Sequence, residues 1–455
     1  MHTDRKLELE SVLDGAGTSR FQVVIVALCT AVTLVDGLDT QLISFAAPAI
    51  ATSWRVPPAS FGLVFGVGLF GGLVGAVCTG VVADRIGRKP TLMATVLLFG
   101  VASLATPLAG SMVTLGVVRF VTGLGVGGAL PGAIALSAEY TPRRARATVA
   151  ALTVCGIPLG SVLGSVLAAQ LIPAHGWRSV FLVGGAVPLL MVPLLGACVP
   201  ESVRFLALKH DRAAVAKVLA RMGVLDELAG QVRLRSDART RRAPLRSLFT
   251  EGRALGTSLL SAALFLTLLM AFLLVNWIPL LAVRSGIGTS AAILGVGAWN
   301  VGGILGSLVI GRLSDRLRPG MVISFCYGLG ALAVMCVGQA GTSVGWLLST
   351  AFVAGFFAIG AQLCTVSLLA IYYDTRLRAT GVGWGMGCGR VGGIIGPVVG
   401  GWLVAASVST GAIFVIAGLV CAACAVTVFA LGHLVLRAPT DDGADLAVPG
   451  AAPAP

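Results

Sequence analysis

GGLVGAVCTGVVADR, residues 71–85, returns at residues 302–316 as GGILGSLVIGRLSDR, an offset of 231. Six of the fifteen positions are identical: Gly71/Gly302, Gly72/Gly303, Gly75/Gly306, Gly80/Gly311, Asp84/Asp315 and Arg85/Arg316. A second echo, at offset 232, pairs Arg144-x-Arg146-Ala147-Thr148 with Arg376-x-Arg378-Ala379-Thr380. The chain is therefore two copies of one unit, each largely apolar and each charged at matching places. Paired units that rock about a central site are a common plan of membrane transporters. Soluble repeats exist too, so composition has to decide.

Hydrophobic residues make up 56 % of the chain and charged residues 11 %, with a mean hydropathy of +0.95. A soluble chain of 455 residues could not cover its surface with so few charges. Twelve apolar runs are long enough to cross a bilayer at about 20 residues each. They cover 22–49, 60–82, 90–108, 111–138, 147–171, 177–199, 256–282, 290–311, 320–339, 345–372, 379–405 and 410–436. Only a helix or a closed barrel satisfies its own backbone in hydrocarbon. The alternating ten-residue strands of a barrel are absent, so the fold expected is all-α and membrane-integral, twelve transmembrane helices in two pseudo-symmetric bundles of six.

Of the 32 Lys and Arg residues, all but five fall in segments that are cytoplasmic if the N-terminus is inside. Arg55, Arg178 and Arg284 lie in external loops, and Arg119 and Arg390 within the membrane. This asymmetry predicts that both termini are cytoplasmic. The net charge of +13 is then a topology signal rather than a nucleic-acid footprint, although the stretch from Arg233 to Arg246 suits anionic lipid. No signal peptide is expected, because the polar segment before Arg20 runs straight into a full-length span. All ten cysteines lie in apolar runs, and Cys421-x-x-Cys424 reads as small hydrophobes in a packed helix rather than a redox or metal motif.

The expected divisions are a cytoplasmic N-terminus (1–20), a first six-helix bundle (21–200), a cytoplasmic linker (201–255), a second bundle (256–437) and a disordered cytoplasmic tail (438–455). In the linker, SVRFLALKHDRAAVAKVLARM (202–222) has apolar residues at helical spacing and predicts one amphipathic helix along the membrane face. The tail is rich in Pro, Ala and Asp. Glycines at four-residue spacing, Gly156/Gly160/Gly164 and Gly392/Gly396/Gly400, let helix backbones approach closely.

Ionisable side chains inside the bilayer are candidates for function. Asp36 and Asp39 stand in the first run, Arg119 in the fourth and Arg390 in the eleventh. Asp39 and Arg119 fall at similar depths, roughly 15 and 12 Å below the outer ends of their helices at about 1.5 Å per residue, which pairs them. Asp36 sits one turn from Asp39 on the same face. Protonation of Asp39, or an anion competing for Arg119, would break the pair and change what the two helices contact. The bland alternative is a static buried ion pair, although such pairs are often poor stabilisers compared with apolar packing. Arg390 comes out near the midplane with no acid in its own half, as suits a guanidinium that holds a substrate carboxylate in two-pronged fashion. Trp277, Trp299, Tyr140 and Phe357 are candidates to stack on an aromatic ring, and Asn276 and Asn300 to bond a ring hydroxyl, though each on its own reads more readily as packing. Trp54, Trp177 and Trp346 are expected at the outer interface.

With these residues in view, the chain resembles a known family. GVVADRIGRK (Gly80 to Lys89), the reduced copy GRLSDR (Gly311 to Arg316), and Arg119-x-x-x-Gly123-x-x-x-Gly127 resemble the signature loops and fourth-helix motif of the major facilitator superfamily. Within it, Asp36-Gly37-Leu38-Asp39 and EYTPRRAR (Glu139 to Arg146) are similar to the aromatic acid:proton symporters. PESVRF at Pro200 departs from that pattern, with Val203 where relatives usually have Pro. The resemblance implies a proton-coupled importer of an aromatic carboxylate of the benzoate or hydroxybenzoate type, in a bacterial inner membrane. Of that family's functional positions, Asp36, Asp39, Asp84, Arg119, Glu139, Asp315, Arg378 and Arg390 have matching residues here. Proton coupling is expected through Asp36, Asp39 and Arg119, and substrate binding by Arg390 and Arg119, with Asn276, Trp277, Asn300 and Trp299 added from their own chemistry. A gate would be built from Asp84, Arg85, Arg88, Glu139, Arg146, Asp315 and Arg378, with Asp84 pairing to an Arg or capping a facing helix N-terminus.

The partners expected are thus a small aromatic carboxylate, a proton and membrane lipid, with no nucleic acid, no cofactor and no metal, and a monomeric protein. Rival readings are a carrier of another organic anion, an exporter, or an integral-membrane enzyme. The last would need convergent catalytic groups, and His2, His175, His210 and His433 are scattered over termini and loops. No G-x-x-x-x-G-K-[ST] loop occurs, so direct driving by ATP hydrolysis is not expected. G-x-G-x-x-G at Gly66–Gly71 lies within a membrane helix, out of the strand–helix context that would give it meaning.

Overall fold

A computed structural model of the chain describes residues 7–8, 19–209, 211–222, 232–233 and 244–435. Twelve of its helices are long and apolar enough to cross a membrane, and we number them as spans 1 to 12. Spans 1 to 6 are Arg20–Trp54, Pro58–Ile86, Arg88–Leu108, Met112–Glu139, Arg143–His175 and Arg178–Cys198. Spans 7 to 12 are Ala254–Arg284, Thr289–Arg316, Pro319–Val337, Val344–Tyr372, Arg376–Ala405 and Thr410–Leu434. Local chemistry sets their ends. Ser19 and Gln22 form a reciprocal capping box at the start of span 1, and Arg55 closes it in the left-handed conformation at φ 53°. Span 10 carries a π-helical segment at Gly355–Ile359.

The duplicated glycines are where the duplicated helices touch. A Cβ on Gly71 would sit 2.3 Å from the Phe120 carbonyl oxygen, and one on Gly75 2.1 Å from that of Leu124. In the second copy, Gly302 stands in the same way against Phe352 O at 2.1 Å and Gly306 against Phe356 O at 1.9 Å. Spans 2 and 4 thus meet as spans 8 and 10 do. Gly160 against Leu34 O and Gly392 against Phe265 O repeat the same device between spans 1 and 5 and between spans 7 and 11. Without a hydrophobic drive between helices in lipid, this close backbone approach carries the packing.

The two sets of six spans do not meet evenly. We call the side bearing the 201–253 segment the linker face. Toward the opposite face, Gly62 of span 2 lies against Gly401 of span 11, the rings of Phe65 and Trp277 meet edge to face at 5.9 Å, and Ser290 Oγ donates to Ala169 O at 2.8 Å. Deeper in, Asn300 Nδ2 donates to Ser161 Oγ at 3.0 Å. Toward the linker face the contacts lapse: a Cβ on Gly80, Gly383 or Gly387 would meet nothing within 4 Å. The apolar core divides accordingly. One cluster runs from Leu42, Phe45 and Phe181 in the first set into the second, while Ile25, Val32, Phe99 and Tyr140 form a separate cluster on the linker side of the first. The described contacts between the halves thus gather toward the face opposite the linker.

One expectation needs correction. The single amphipathic linker helix is two short ones, Val203–Leu208 and Arg212–Arg221. Asp211 interrupts the run by capping the second through a bond from Ala214 N at 3.0 Å. Val215, Val218 and Met222 still bury against the first set of spans. Among the described residues there is also one strand pairing, Leu7 with Val232 and Glu8 with Arg233, too short to leave a sequence pattern. Most of the basic stretch from Arg233 to Arg246, and the tail after Arg437, lie outside the described residues.

Because Gly75 and Gly306 fill equivalent contacts, Gly75→Ala and Gly306→Ala are each expected to destabilise the purified protein by about 1–3 kcal/mol through overpacking. Gly116→Ala should be neutral, since its Cβ would meet nothing within 4 Å. Thermal unfolding in detergent measures all three.

Candidate functional site

Asp39 is fully buried at the centre of spans 1, 3, 4 and 6. Its Oδ1 accepts a hydrogen bond from Ser103 Oγ, and its Oδ2 lies 3.7 Å from Arg119 Nη1. Arg119 is 4 % exposed, its Nη2 donates to Thr106 Oγ1 at 2.6 Å, and its guanidinium carbon lies 5.1 Å from the centre of the Phe181 ring. Asp39 Oδ2 and Arg119 Nε make no hydrogen bond. The ion pair is therefore close but loose, and each partner is held separately by a hydroxyl of span 3. Ser103 and Thr106 were not anticipated, because hydroxyls are common in apolar runs and only their rotation toward the pair distinguishes them.

Asp39 and Arg119 line a cavity with about 510 Å³ of empty space, part of it open to solvent. Its polar wall adds Thr40 and Thr122. Across the gap, span 7 contributes Phe272 and Asn276, and Phe65 and Gly72 come from span 2. Asp36 is buried one turn from Asp39 and accepts from Thr40 Oγ1 at 3.3 Å. Arg390 is half-buried in span 11 and reaches the cavity edge, where Nη1 donates to Gly72 O at 3.4 Å. Its charge attracts that of Asp36 across the gap, although the two are not in ion-pair contact. That long bond to a carbonyl is the only hydrogen bond Arg390 makes among the described residues, so most of its donors are unused.

The aromatic expectations fare differently. Trp277 is fully buried and its indole donates to Pro397 O at 3.0 Å; Trp299 is 1 % exposed. Both are wall packing, and neither lines the cavity. Asn276 lines it while its Nδ2 donates to Phe272 O at 2.8 Å, whereas Asn300 bridges the two halves. Tyr140 lies at the linker face, buried, with its hydroxyl donating to Glu201 O at 2.6 Å, and Phe357 packs on Phe356. The rings facing the cavity are Phe65 and Phe272, which the sequence reading did not single out. Trp346 is exposed, but Trp177 is buried against Trp54 and Phe181 rather than lying free at the interface.

At the linker face, Arg88 pairs with Glu139. Glu201, not Asp84, caps a helix: its Oε1 accepts from the backbone N–H of Arg88 at 2.9 Å and Lys89 at 3.1 Å, the first turn of span 3, and from Ser202 N at 2.8 Å. Lys89 Nζ donates to Gly196 O at 2.7 Å. Burial pushes the Tyr140 hydroxyl well above the usual tyrosine range, and the Glu139 and Glu201 carboxylates beside it push the same way. Asp84, Arg85 and Asp315 are exposed, and neither carboxylate has a hydrogen bond or ion pair among the described residues. Arg146 Nε donates to Thr141 O and Arg378 Nε to Tyr373 O, equivalent bonds in the two copies that tie each arginine to its own half. The groups expected to form a gate are thus brought to one face.

Comparison with known proteins agrees with this geometry. The Major Facilitator Superfamily model matches residues 29–373 and 286–452. The chain is 36 % identical over 436 residues to a gallate transporter of Pseudomonas putida, covering 96 % of this chain and 97 % of that one. It is 36 % identical to a 4-hydroxybenzoate transporter of the same organism, covering 86 % and 88 %, and 36 % identical to a 3-(3-hydroxy-phenyl)propionate transporter of Escherichia coli, covering 87 % and 90 %. Among solved structures, a D-xylose–proton symporter superposes with a TM-score of 0.68 at 19 % identity, covering 90 % of this chain and 97 % of that one. An inward-facing bacterial homologue of the human lysosomal transporter Spinster superposes at 0.69 and 16 %, covering 92 % and 99 %.

Glu201 yields a stability prediction. Glu201→Ala leaves the first N–H groups of span 3 without their acceptor and should cost about 1–3 kcal/mol. Asp84→Asn changes an exposed, unbonded side chain and should stay within about 0.5 kcal/mol of the parent. Equal losses in thermal unfolding would show that Glu201 is not the anchor of this corner.

Proposed function

The chain belongs to the major facilitator superfamily, among its aromatic-acid transporters, and from that premise we propose that it carries an aromatic carboxylate inward together with a proton. It is a multi-pass membrane transporter and not an enzyme. The observation that carries the proposal is the cavity between the halves. One wall holds a buried carboxylate–guanidinium pair, the other a phenyl ring and an amide, and an arginine with unused donors stands at the edge. The relatives at 36 % identity are described as transporters of gallate, 4-hydroxybenzoate and 3-(3-hydroxyphenyl)propionate, all hydroxylated aromatic acids.

In this reading Arg390 takes the carboxylate. Arg119 is committed to Asp39, Thr106 and Phe181, while Arg390 has donors to offer and sits where the halves diverge. Phe65 and Phe272 bracket the ring, and Asn276 bonds a ring hydroxyl; Trp277 and Trp299 shape the wall from behind. Asp39 carries the proton. Ionised, it is offset by Arg119; protonated, it releases Arg119, and spans 1 and 4 lose an attraction. Asp36 lies between Asp39 and Arg390 and links proton and substrate electrostatically. The linker face is cytoplasmic, so the conformation described is open to the cytoplasm. Closure brings Asp84, Arg85 and Arg88, with Glu139 and Arg146, toward their counterparts Asp315 and Arg378. The protein works as a monomer in the inner membrane.

Proteoliposome uptake tests the function. Labelled 4-hydroxybenzoate or gallate should accumulate under an inward proton gradient, and a protonophore should abolish accumulation. Accumulation undiminished by the protonophore, with no other ion gradient present, would end the case for proton coupling. Competition by aliphatic acids but not by benzoates would point to a different organic anion.

Arg390 has its own test. Arg390→Lys keeps the charge but loses the two-pronged geometry and should bind the acid more weakly; Arg390→Ala should lose about 2–5 kcal/mol, roughly 30-fold and upward in affinity. The neutral amide of a good substrate should bind the parent poorly and lose little more in Arg390→Ala. An equal loss for acid and amide would assign Arg390 to the fold and move the carboxylate to Arg119.

A further inference from the structure

We propose that Ser103 is a positioning residue that sets the proton affinity of Asp39, by donating a hydrogen bond to the ionised carboxylate; this rests on the reading of Asp39 as the proton carrier. Ser103 differs from the other buried hydroxyls around it. Thr95 and Thr106 on the same span, and Thr122 and Ser137 on span 4, donate to carbonyls three or four residues back in their own helices, the usual resort of a hydroxyl in an apolar helix. Ser103 instead sends its hydroxyl across the bundle to Asp39 Oδ1.

The surroundings leave Asp39 little else. Ser103 and Asp39 are both fully buried, and Ser103 is the only hydrogen-bond donor to Asp39 among the described residues, Oδ2 having none. Thr40, the nearest other hydroxyl on span 1, is turned to Asp36. Span 6 offers Gly184, where an added Cβ would stand 3.6 Å from Ser103 Oγ and 3.7 Å from Asp39 Oδ1, so no side chain intrudes there. The charged groups facing Asp39 are Arg119 from span 4 and Asp36 from its own span, with Arg390 of span 11 beyond Asp36. Spans 3 and 6 present Ser103 and Gly184 to Asp39, with Thr106 and Phe181 against Arg119, and none of these is an acid or a base.

The sign follows from which form the bond favours. A hydroxyl that donates to a carboxylate stabilises the ionised form and so weakens its hold on the proton. Removing the hydroxyl leaves Arg119, 3.7 Å away without a hydrogen bond, as the sole support of the charge. Asp39 should then keep its proton to higher pH. A hydrogen bond to a charged group is worth enough to move the midpoint by about one pH unit, or ~10-fold in proton affinity. The hydroxyl also rotates, so it can accept from the neutral acid and keep the carboxyl in place through the cycle.

The test is an infrared titration of the full-length protein in liposomes, following the carboxyl band that disappears in Asp39→Asn. Ser103→Ala should raise the midpoint of that band by about one pH unit, and the pH of half-maximal uptake should rise with it. Ser103→Thr, which restores a hydroxyl, should return both toward the parent. If Ser103→Ala does not fold, Ser103→Cys, a weak donor, takes its place with the same expected direction. An unchanged or lowered midpoint in Ser103→Ala, a raised one in Ser103→Thr, or no Asp39-dependent band that titrates would each overturn the assignment. A raised midpoint with uptake indifferent to protons would leave Ser103 in its role and remove the proton coupling. Proton-driven uptake with an unmoved midpoint would do the reverse.

Discussion

A charge inside hydrocarbon has to be answered by something close, and the centre of this molecule is arranged to answer two. Asp39 and Arg119 come from different spans and share no hydrogen bond, yet each is held by a hydroxyl one turn from the other on span 3. A tight bidentate pair would lock spans 1 and 4 together. A pair 3.7 Å apart, pinned from the side, keeps both charges compensated while leaving the bond between them easy to give up. The packing around it provides rigidity within two helix pairs instead: Gly37 and Gly160 bring spans 1 and 5 into backbone contact, and Gly123 does the same for spans 2 and 4, so each charge sits on a helix held by a neighbour.

That rigidity is confined within each half. Between the halves the contacts include small residues, three side-chain hydrogen bonds, one of them from the guanidinium of Arg390, and an edge-to-face ring pair. Such a seam opens at modest cost, since it strands few polar groups. At the linker face the charged corner of the first half is knotted within that half, Arg88 to Glu139 and Glu201 to the start of span 3.

How much of this was legible in sequence depends on what each residue type signals. Asp39 and Arg119 stood out because charges are rare in apolar runs, and matched depth was enough to pair them. The repeated glycines at 71, 75, 302 and 306 were legible because two copies exist to compare. Trp277 and Trp299 have the chemistry to stack on a ring, but residue type does not fix which way a side chain faces: consecutive residues on a helix point about 100° apart, and with Asn276 facing the cavity, Trp277 faces elsewhere. Ser103, Thr106 and Phe272 left no signal, because their role lies in helix rotation and in partners far along the chain. Glu201 sat in a recognised stretch, but attention went to Val203, two residues on, where the pattern departs.

The duplication also shows where the two copies parted. Through the matched contacts Gly160–Leu34 and Gly392–Phe265, and Gly75–Leu124 and Gly306–Phe356, each position in one half has a counterpart in the other. The counterpart of Asp39 is Met270 and that of Arg119 is Ala351, both fully buried and apolar. Asp36 corresponds to Thr267, which is tied to Tyr327 and through it to Thr365 in a neutral hydroxyl network. Arg390, in turn, corresponds to Pro158. Gly71, Gly75, Gly123 and Gly160 recur as Gly302, Gly306, Gly355 and Gly392, where a Cβ would collide with backbone, which cannot be repacked, whereas Gly37 gives way to Leu268. The charges were free to diverge, and they did so in opposite directions, the first half keeping acids with their arginine and the second keeping a single guanidinium at the gap. An acid pair on one wall and a guanidinium on the other then sense each other only through the gap, and the width of that gap sets the field that each experiences.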